Sequence, residues 1–276
     1  MNTGRGDFNH YYYAYWAVPA FTLLANLHFP YEFIIVGLIN VLFVWFAVRI
    51  FGGKLAPLLI SLNMVYILSQ GQIVGIIVGG YALFVVGMVC RHWYFAGVGT
   101  MIALTKFQMA FIPILALLLL WDASWREKLK VLLFPLIILA ISFLVYPGWP
   151  VQLVNIIQNS PPNDSGSISL WQWIGPAALI LWIPPVVFRM PRQDRFWLMV
   201  IACSLSLPYF QQTDLLLLYS AFLGYGASIA NLPFLLTTLN LFPQMLPWAI
   251  IKLLVMIPLG IYLTILLSTV KKDRLS

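Results

Sequence analysis

Charged residues are scarce in this chain: Asp, Glu, Lys and Arg together make up 8% of its 276 residues, against about 25% in a typical soluble domain. Together with a hydrophobic share of 62%, this scarcity excludes an ordinary soluble protein and predicts a polytopic integral membrane protein. The net charge of +7 does not indicate nucleic-acid binding. The basic residues lie in short clusters between apolar runs, as expected for charges that set membrane orientation.

Cysteine and histidine are also rare. The two cysteines, Cys90 and Cys203, fall within or at the end of apolar runs, which argues against a disulfide framework. The three histidines are scattered, and the chain has no phosphate-binding loop, no His-Glu-x-x-His and no Gly-x-Ser-x-Gly motif. We therefore expect no metal and no cofactor. Met1–Tyr11 has no apolar stretch behind a basic one, so we expect no cleavable signal peptide.

Apolar runs fill most of the chain and predict an all-α fold, a polytopic transmembrane bundle of about 9–11 helical segments in one membrane-embedded domain over residues 1–276. The runs are Tyr13–Leu27, Phe33–Phe51, Leu55–Leu68, Ile73–Cys90, Phe95–Trp121, Leu129–Tyr146, Leu170–Phe188, Phe196–Leu207, Leu215–Ile229, Leu232–Phe242 and Trp248–Val270. Several are shorter than the roughly 20 residues of a normal span, so we expect short or broken helices. Outside the bundle we predict a polar tail (1–10), an outer loop (147–169) and a basic cytoplasmic tail (271–276).

Basic clusters predict the orientation of these runs. The clusters are Arg49 with Lys54, Arg91, Arg126 with Lys128 and Lys130, Arg189 with Arg192 and Arg195, and Lys271 with Lys272 and Arg274. We predict that the chain lies in the plasma membrane and that all of these clusters face the cytoplasm. Four polar segments then face outward. They are Ser69–Gln72, Thr105–Gln108, Pro147–Ser169 and Pro208–Asp214. The orientation of the N-terminus and of Leu232–Phe242 stays open, because these short runs could be re-entrant.

Lys106 lies inside the run Phe95–Trp121. This run is too long for one span, which predicts two half-length helices that meet near Lys106. A lone ammonium in hydrocarbon costs about 3 kcal/mol, so such a residue indicates a functional site with an anionic partner such as a phosphate. The alternative is a snorkelling lysine that pairs with Asp214 for structural reasons.

The other outward segments supply further candidates, each with a structural alternative. Gln70 and Gln72 flank a glycine at a helix start and could bind an anion or sugar hydroxyls, or form a polar turn only. Asp214 opens an apolar helix, so it is a helix cap, a partner of Lys106, or with Gln211 a ligand holder. Trp171 and Trp173 are either interfacial residues or platforms for a sugar ring.

A general base at the outer face must come from the acidic residues there, which in this topology are Glu32, Asp164, Asp214 and Asp7. Asp7 has aromatic and histidine neighbours suited to an interfacial pocket. Its alternative is a solvated N-terminal tail.

The order of motifs resembles a known family. Gly71-Gln72 opens an apolar helix, Gly97–Gln108 contains Ala-Leu-Thr-Lys106, Pro113 and a basic turn follow, and Pro208-Tyr209 precedes Asp214-Leu-Leu-Leu. This order is similar to that of the GT-C superfamily of membrane glycosyltransferases, in particular the family 87 type that uses polyprenyl-phosphate mannose.

The resemblance implies inverting transfer of a hexose from a polyprenyl-phosphate sugar to a hydroxyl of a glycolipid or glycan outside the cytoplasm. Catalytic roles then belong to Asp7 and Asp214, and donor-phosphate binding to Lys106 and Gln72. Contacts with sugar or acceptor belong to Gln70, Gln108, Tyr209, Gln211, Trp171 and Trp173. The chain lacks the family's N-terminal helix and first catalytic loop, so a protein partner that supplies them is one expectation.

Two other functions stay open. Broken helices and a lysine–aspartate pair within the membrane also suit a transporter or lipid flippase. A non-catalytic relative of the enzyme would bind the donor lipid without turnover.

Overall fold

The structure is a computed structural model that describes residues 15–28, 30–159, 167–207, 210–222 and 254–273. It is about 80% helical and has no strand in these ranges. A single antiparallel bridge joins Ser167 and Gln211. The prediction of an all-α fold is confirmed.

Most apolar runs form helices, and several helices are short. The α-helices are α1 (Val18–Ala25), α2 (Tyr31–Phe51), α3 (Leu55–Leu59), α4 (Leu62–Ser69), α5 (Val74–Val89), α6 (Trp93–Leu104), α7 (Phe107–Leu120), α8 (Trp125–Val145), α9 (Trp149–Asn159), α10 (Trp171–Ile174), α11 (Ile183–Val187), α12 (Arg192–Ser206), α13 (Leu216–Tyr219) and α14 (Met256–Asp273). Tight 3-10 helices cover Tyr15–Ala17, Gly175–Trp182 and Gln212–Leu215.

Two helices, α2 and α8, are long and apolar enough to cross a membrane, each with 21 residues. A third candidate is the pair α4 and α5, which together are apolar enough but bend by 116° at the turn between them. Only 17% of the apolar 18-residue stretch of α8 is buried inside the protein. A helix that is apolar on its exposed faces is typical of a segment that contacts lipid.

The core is built around α5 and α12. Each residue of α12 from Phe196 to Ser206 is buried, and α5 lies between α2 and α6. The α5 and α6 backbones approach closely because glycines lie at the contact. A methyl group on Gly99 would overlap the backbone nitrogen of Phe84, and one on Gly87 would overlap that of Ala96. Small residues at helix contacts are the usual device for close packing in membranes.

The long run around Lys106 is broken, as predicted. Helix α6 ends at Leu104 and α7 begins at Phe107. Lys106 itself has φ −109° and ψ 76°, which lies outside the helical region. The break therefore places Lys106 between the end of α6 and the start of α7, so its side chain is not confined to the surface of either helix.

Two regions differ from the expected pattern. The run Leu170–Phe188 forms α10, a 3-10 stretch and α11 instead of one regular helix, because its prolines lack the N–H that an α-helix needs. The outer loop 147–169 contains helix α9. The run Leu232–Phe242 and the N-terminal tail lie outside the described residues.

A buried lysine–aspartate pair as the candidate functional site

Lys106 and Asp214 form a buried ion pair. The ammonium nitrogen Nζ lies 2.5 Å from Oδ1 of Asp214, and the two side chains are 4% and 1% exposed. The second carboxylate oxygen, Oδ2, accepts the backbone N–H of Gln211 at 3.1 Å. Each oxygen of Asp214 thus has a donor, and each charge of the pair has a partner that offsets part of its desolvation.

The 3-10 helix Gln212–Leu215 positions the carboxylate of Asp214. Gln211 precedes it in an extended conformation and forms a reciprocal capping box with Asp214. Such a box satisfies N–H groups that have no partner at a helix start. The capping role predicted for Asp214 and its pairing with Lys106 are therefore both present, one on each carboxylate oxygen.

The C-terminal end of segment 147–169 is hydrogen-bonded to the same region. The N–H of Ile168 donates to the carbonyl of Phe210 at 2.8 Å, and the N–H of Phe210 donates to Oγ of Ser167 at 3.3 Å. The Ser169 hydroxyl donates to the carbonyl of Leu205 at 2.7 Å. Residues 167–169 consequently lie against the chain that leads into Asp214.

The turn that carries Gln70 and Gln72 reaches the site through α4, which packs on residues 212–215. Gly71 has φ +61° there, a value that glycine adopts without strain. Gln70 is exposed and Gln72 is half-buried. The Asn40 amide nitrogen donates to the backbone carbonyl of Gln72 at 2.9 Å.

Asn40 is a residue that the sequence analysis missed. Its oxygen also accepts the N–H of Ile76 at 3.3 Å, and its nitrogen donates to the carbonyl of Val36 at 2.8 Å. The side chain therefore ties α2 to the first turn of α5. Its signal in the sequence was a lone polar residue inside an apolar span, which is the same signal that marked Lys106.

Two buried polar atoms close to the pair along the chain have no hydrogen bond to any residue that the structure describes. They are Oγ1 of Thr213, which precedes Asp214, and Oε1 of Gln108, two residues after Lys106. A buried polar atom without a partner costs about 1–3 kcal/mol, so these two atoms are candidates for contact with a polar ligand. The neighbouring Tyr81 is satisfied, because its hydroxyl donates to the carbonyl of Met109 at 2.6 Å.

An apolar cavity of about 380 Å³ adjoins the break. It lies between α7, α8 and α9, with Leu104 and Phe107 on its wall, on either side of the break that holds Lys106. Its lining includes Trp16 and Trp149, whose buried indole nitrogens have no hydrogen-bond partner within the described part of the chain. Its lining is suited to an aliphatic group and excludes a free ion.

The remaining predicted residues are spread more widely. Trp171 is half-buried and its backbone N–H donates to the Ser169 hydroxyl at 3.0 Å, whereas Trp173 is 55% exposed. Asp7 and Tyr209 lie outside the described residues. The structure thus brings together Lys106, Asp214 and Gln211, with the other candidates at its margin or beyond its described part.

Comparison of the chain with protein-family models, with curated proteins and with solved structures found no match. Among the described residues, no three His, Cys, Asp or Glu side chains form a group that could hold a metal ion.

Proposed function

We propose that this chain is a polytopic membrane glycosyltransferase. It transfers a hexose, which the motif resemblance makes mannose, from a polyprenyl-phosphate sugar to an acceptor hydroxyl on the extracytoplasmic side of the plasma membrane. The observation that carries the proposal is the buried Lys106–Asp214 pair, close along the chain to two buried polar atoms for which the described residues offer no partner. A buried pair at a helix break, next to unsatisfied groups, is the arrangement expected of a polar ligand site within a membrane.

Lys106 is the residue that recognises the donor phosphate. The ammonium of Lys106 is already paired with Asp214, and both side chains are buried. The donor phosphate therefore replaces Asp214 as the ion-pair partner of Lys106 when the donor binds. The donor phosphodiester carries one negative charge, and the polyprenyl phosphate that leaves carries close to two near pH 7. A fixed ammonium stabilises this increase of charge, which occurs as the bond between the sugar carbon and the phosphate oxygen breaks.

The apolar cavity beside the break supports a lipid-linked donor over a soluble one. Its wall includes Phe107, which directly follows Lys106 in the chain. A donor whose phosphate lies on Lys106 can therefore place the first isoprene units of its tail in this cavity. A water-soluble sugar nucleotide would leave the cavity empty.

Proton transfer requires a carboxylate, and Asp214 and Asp7 are the candidates. While Lys106 is paired with Asp214, a proton on Asp214 would leave a buried ammonium without compensation, which costs several kcal/mol. Once a phosphate holds Lys106, this penalty disappears and Asp214 can accept the hydroxyl proton of the acceptor as the new glycosidic bond forms. Asp7 is the alternative base, and substitutions at the two positions distinguish them.

The placement of basic residues supports the proposed orientation. Arg91, Asp122 and Arg192 line one common cavity, so the turns after α5, after α7 and before α12 meet at one end of the protein. This end lies a whole helix away from Lys106, about 18 Å along the 12 residues of α6. Basic turns that share one end indicate a cytoplasmic face there and an extracytoplasmic face at Lys106.

The experiment is sugar transfer from labelled polyprenyl-phosphate mannose in membranes that contain the wild-type chain or a variant. We expect transfer by the wild type and none by Lys106→Ala. The double variant Lys106→Met with Asp214→Asn serves as a second inactive form that keeps no unpaired charge in the interior. Activity in folded Lys106→Ala would refute the role of the lysine.

The matched control is Lys128→Gln. Lys128 is also a buried lysine, but its ammonium donates to the carbonyl of Leu119 at 2.7 Å and pairs with no carboxylate of the described residues. Transfer should persist in this variant. Loss of transfer in Asp214→Asn but not in Asp7→Asn would assign the base to Asp214, and the reverse would assign it to Asp7.

A transporter or lipid flippase is a second candidate, favoured by the break in the helices and the ion pair within the apolar core. It predicts movement of the labelled lipid across reconstituted vesicles without sugar transfer. Binding of donor lipid with neither transfer nor movement would indicate a non-catalytic relative.

A further inference from the structure

A second cavity lies at the basic end of the protein, away from Lys106. Its volume is about 350 Å³. Its polar wall consists of Arg91, Asp122, Arg192 and Gln193, and its apolar wall comes from α2, α5, α12 and Trp121. Neither the donor phosphate nor the acceptor hydroxyl of the proposed reaction requires this cavity, so its features need a separate explanation.

Arg91 has an unusual backbone conformation for its residue type, with φ +57°. It stands just past the end of α5, where the N–H of His92 donates to the carbonyl of Gly87 at 2.8 Å. This is the Schellman ending of a helix, whose left-handed residue is usually glycine. The chain uses glycine at the equivalent position after α4, Gly71, which has φ +61°. An arginine that is kept in a strained conformation indicates a use for its side chain.

The guanidinium of Arg91 is exposed and makes no hydrogen bond or ion pair with the described residues. Glu127, an acidic residue of this end, has its Oε2 engaged by the N–H and the hydroxyl of Ser124, at 2.8 and 2.9 Å. Arg91 interacts electrostatically with Glu127, and Asp122 lines the same cavity, but neither forms an ion pair with it. Arg91 thus brings to the cavity a positive charge that no described side chain holds in an ion pair, at a site where a ligand anion can reach it.

Arg192 provides the second guanidinium. It pairs with Asp122 at 3.1 Å and lies over the ring of Trp121, 5.4 Å from its centroid. The stacking holds the guanidinium plane in place, and the single carboxylate of Asp122 leaves the two arginines with a net positive charge. The polar wall therefore favours an anion, and two planar guanidinium groups suit the oxygens of a phosphate.

The apolar wall favours a ligand with an attached hydrocarbon chain. Its inner part is the aromatic cluster of Phe51, Phe196 and Trp197, whose rings lie 4.8–5.9 Å apart. Its rim contains Ile50 and Val89, which are 38% and 64% exposed. The cavity is therefore continuous with apolar surface on the outside of α2 and α5, and a chain that leaves it passes onto that surface.

We propose that this cavity is a binding site for an anionic phospholipid, with the headgroup phosphate between Arg91 and Arg192 and an acyl chain along Ile50 and Val89. The inference rests on the membrane embedding of the chain but not on sugar transfer. It assigns to the basic end a specific lipid contact in addition to the diffuse attraction of basic turns to an anionic membrane surface.

The test is native mass spectrometry of the detergent-purified chain, titrated with phosphatidylglycerol or with zwitterionic phosphatidylcholine. We expect tighter binding of phosphatidylglycerol, and a loss of about tenfold in its affinity for each guanidinium removed, in Arg91→Gln and in Arg192→Gln. Arg126→Gln and Lys130→Gln remove exposed basic residues of the same end that do not line the cavity. These two variants should keep the wild-type affinity.

Two comparisons make the test decisive. Inorganic phosphate at millimolar concentration should not displace the lipid, because the apolar wall contributes to binding; displacement would identify a plain phosphate site and overturn the proposal. Equal losses in the cavity variants and in Arg126→Gln or Lys130→Gln would show diffuse attraction and would also overturn it. Arg91→Gly separates binding from folding, since it relieves the strained backbone and should raise the unfolding temperature while it weakens phosphatidylglycerol binding.

Discussion

Removing one partner of the Lys106–Asp214 pair should destabilise the protein far more than removing both. The side chains are 4% and 1% exposed, so Asp214→Asn leaves a buried ammonium and Lys106→Met leaves a buried carboxylate. Breaking a buried pair in this way costs about 3–5 kcal/mol of unfolding free energy. The double variant Lys106→Met with Asp214→Asn contains no buried charge, and neutral replacement of a buried pair is often close to neutral. With two single losses of about 3 kcal/mol or more and a double loss near zero, the expected coupling free energy is about 6 kcal/mol or more in size.

The measurement is unfolding of the four proteins by titration with sodium dodecyl sulfate in mixed micelles. The 11 tryptophans of the chain supply the fluorescence signal. The matched control is the exposed pair Arg192–Asp122, whose side chains are 59% and 87% exposed. Charge removal there should change the unfolding free energy by about 0–1 kcal/mol, because water screens an exposed pair.

Single variants at Lys106 and Asp214 that each cost less than about 1 kcal/mol, and whose effects add in the double variant, would show that water reaches the pair, as it does exposed pairs. A phosphate could then reach Lys106 without displacing Asp214.

Three further predictions test the helix packing and the orientation. Gly99→Ala should cost about 1–3 kcal/mol in unfolding free energy, because its methyl group would overlap the α5 backbone, whereas Gly260→Ala, in open space on α14, should be neutral or stabilising. Asn40→Ala should cost about 2 kcal/mol or more in the same assay, because buried backbone groups of α5 lose their partner; an unchanged midpoint would contradict this. A membrane-impermeant maleimide should label exposed Cys90 in inside-out vesicles only, with buried Cys203 unlabelled until denaturation, and labelling of Cys90 from outside would reverse the proposed topology.

Several features of the site could be predicted from the sequence because they follow from local rules. Burying an ammonium inside an apolar run costs free energy whatever the run packs against. Lys106 could therefore be identified as a candidate site residue before the fold was known. The length of the run predicted its break, which the structure places between Leu104 and Phe107. An aspartate ahead of an apolar helix predicted a cap, and Asp214 does cap Gln211. Each of these depends on neighbours within a few residues.

Other features could not be predicted because several distant segments decide them. Asn40 acquires its role only when α5 begins beside the middle of α2. The positive φ of Arg91 depends on the Schellman turn between α5 and α6. Nothing in the sequence indicated this turn, because the left-handed residue of such a turn is usually glycine. The prolines of 170–188 account for the interruption of a regular helix, but the contact of the 3-10 stretch with α12, which is distant in sequence, became known only from the structure.

The sequence by itself determined the helical class, the apolar runs and the two charged residues that need a partner, Lys106 and Asp214, because burial energies and helix periods act locally. Tertiary structure alone decided that Lys106 meets Asp214, 108 residues away along the chain, since sequence allowed each to be satisfied by another partner. It also decided which buried polar atoms find no partner among the described residues, as at Thr213 and Gln108. Which residues pair depends on the packed interior, because a buried charge without a partner costs several kcal/mol and the fold must bring an opposite charge to it.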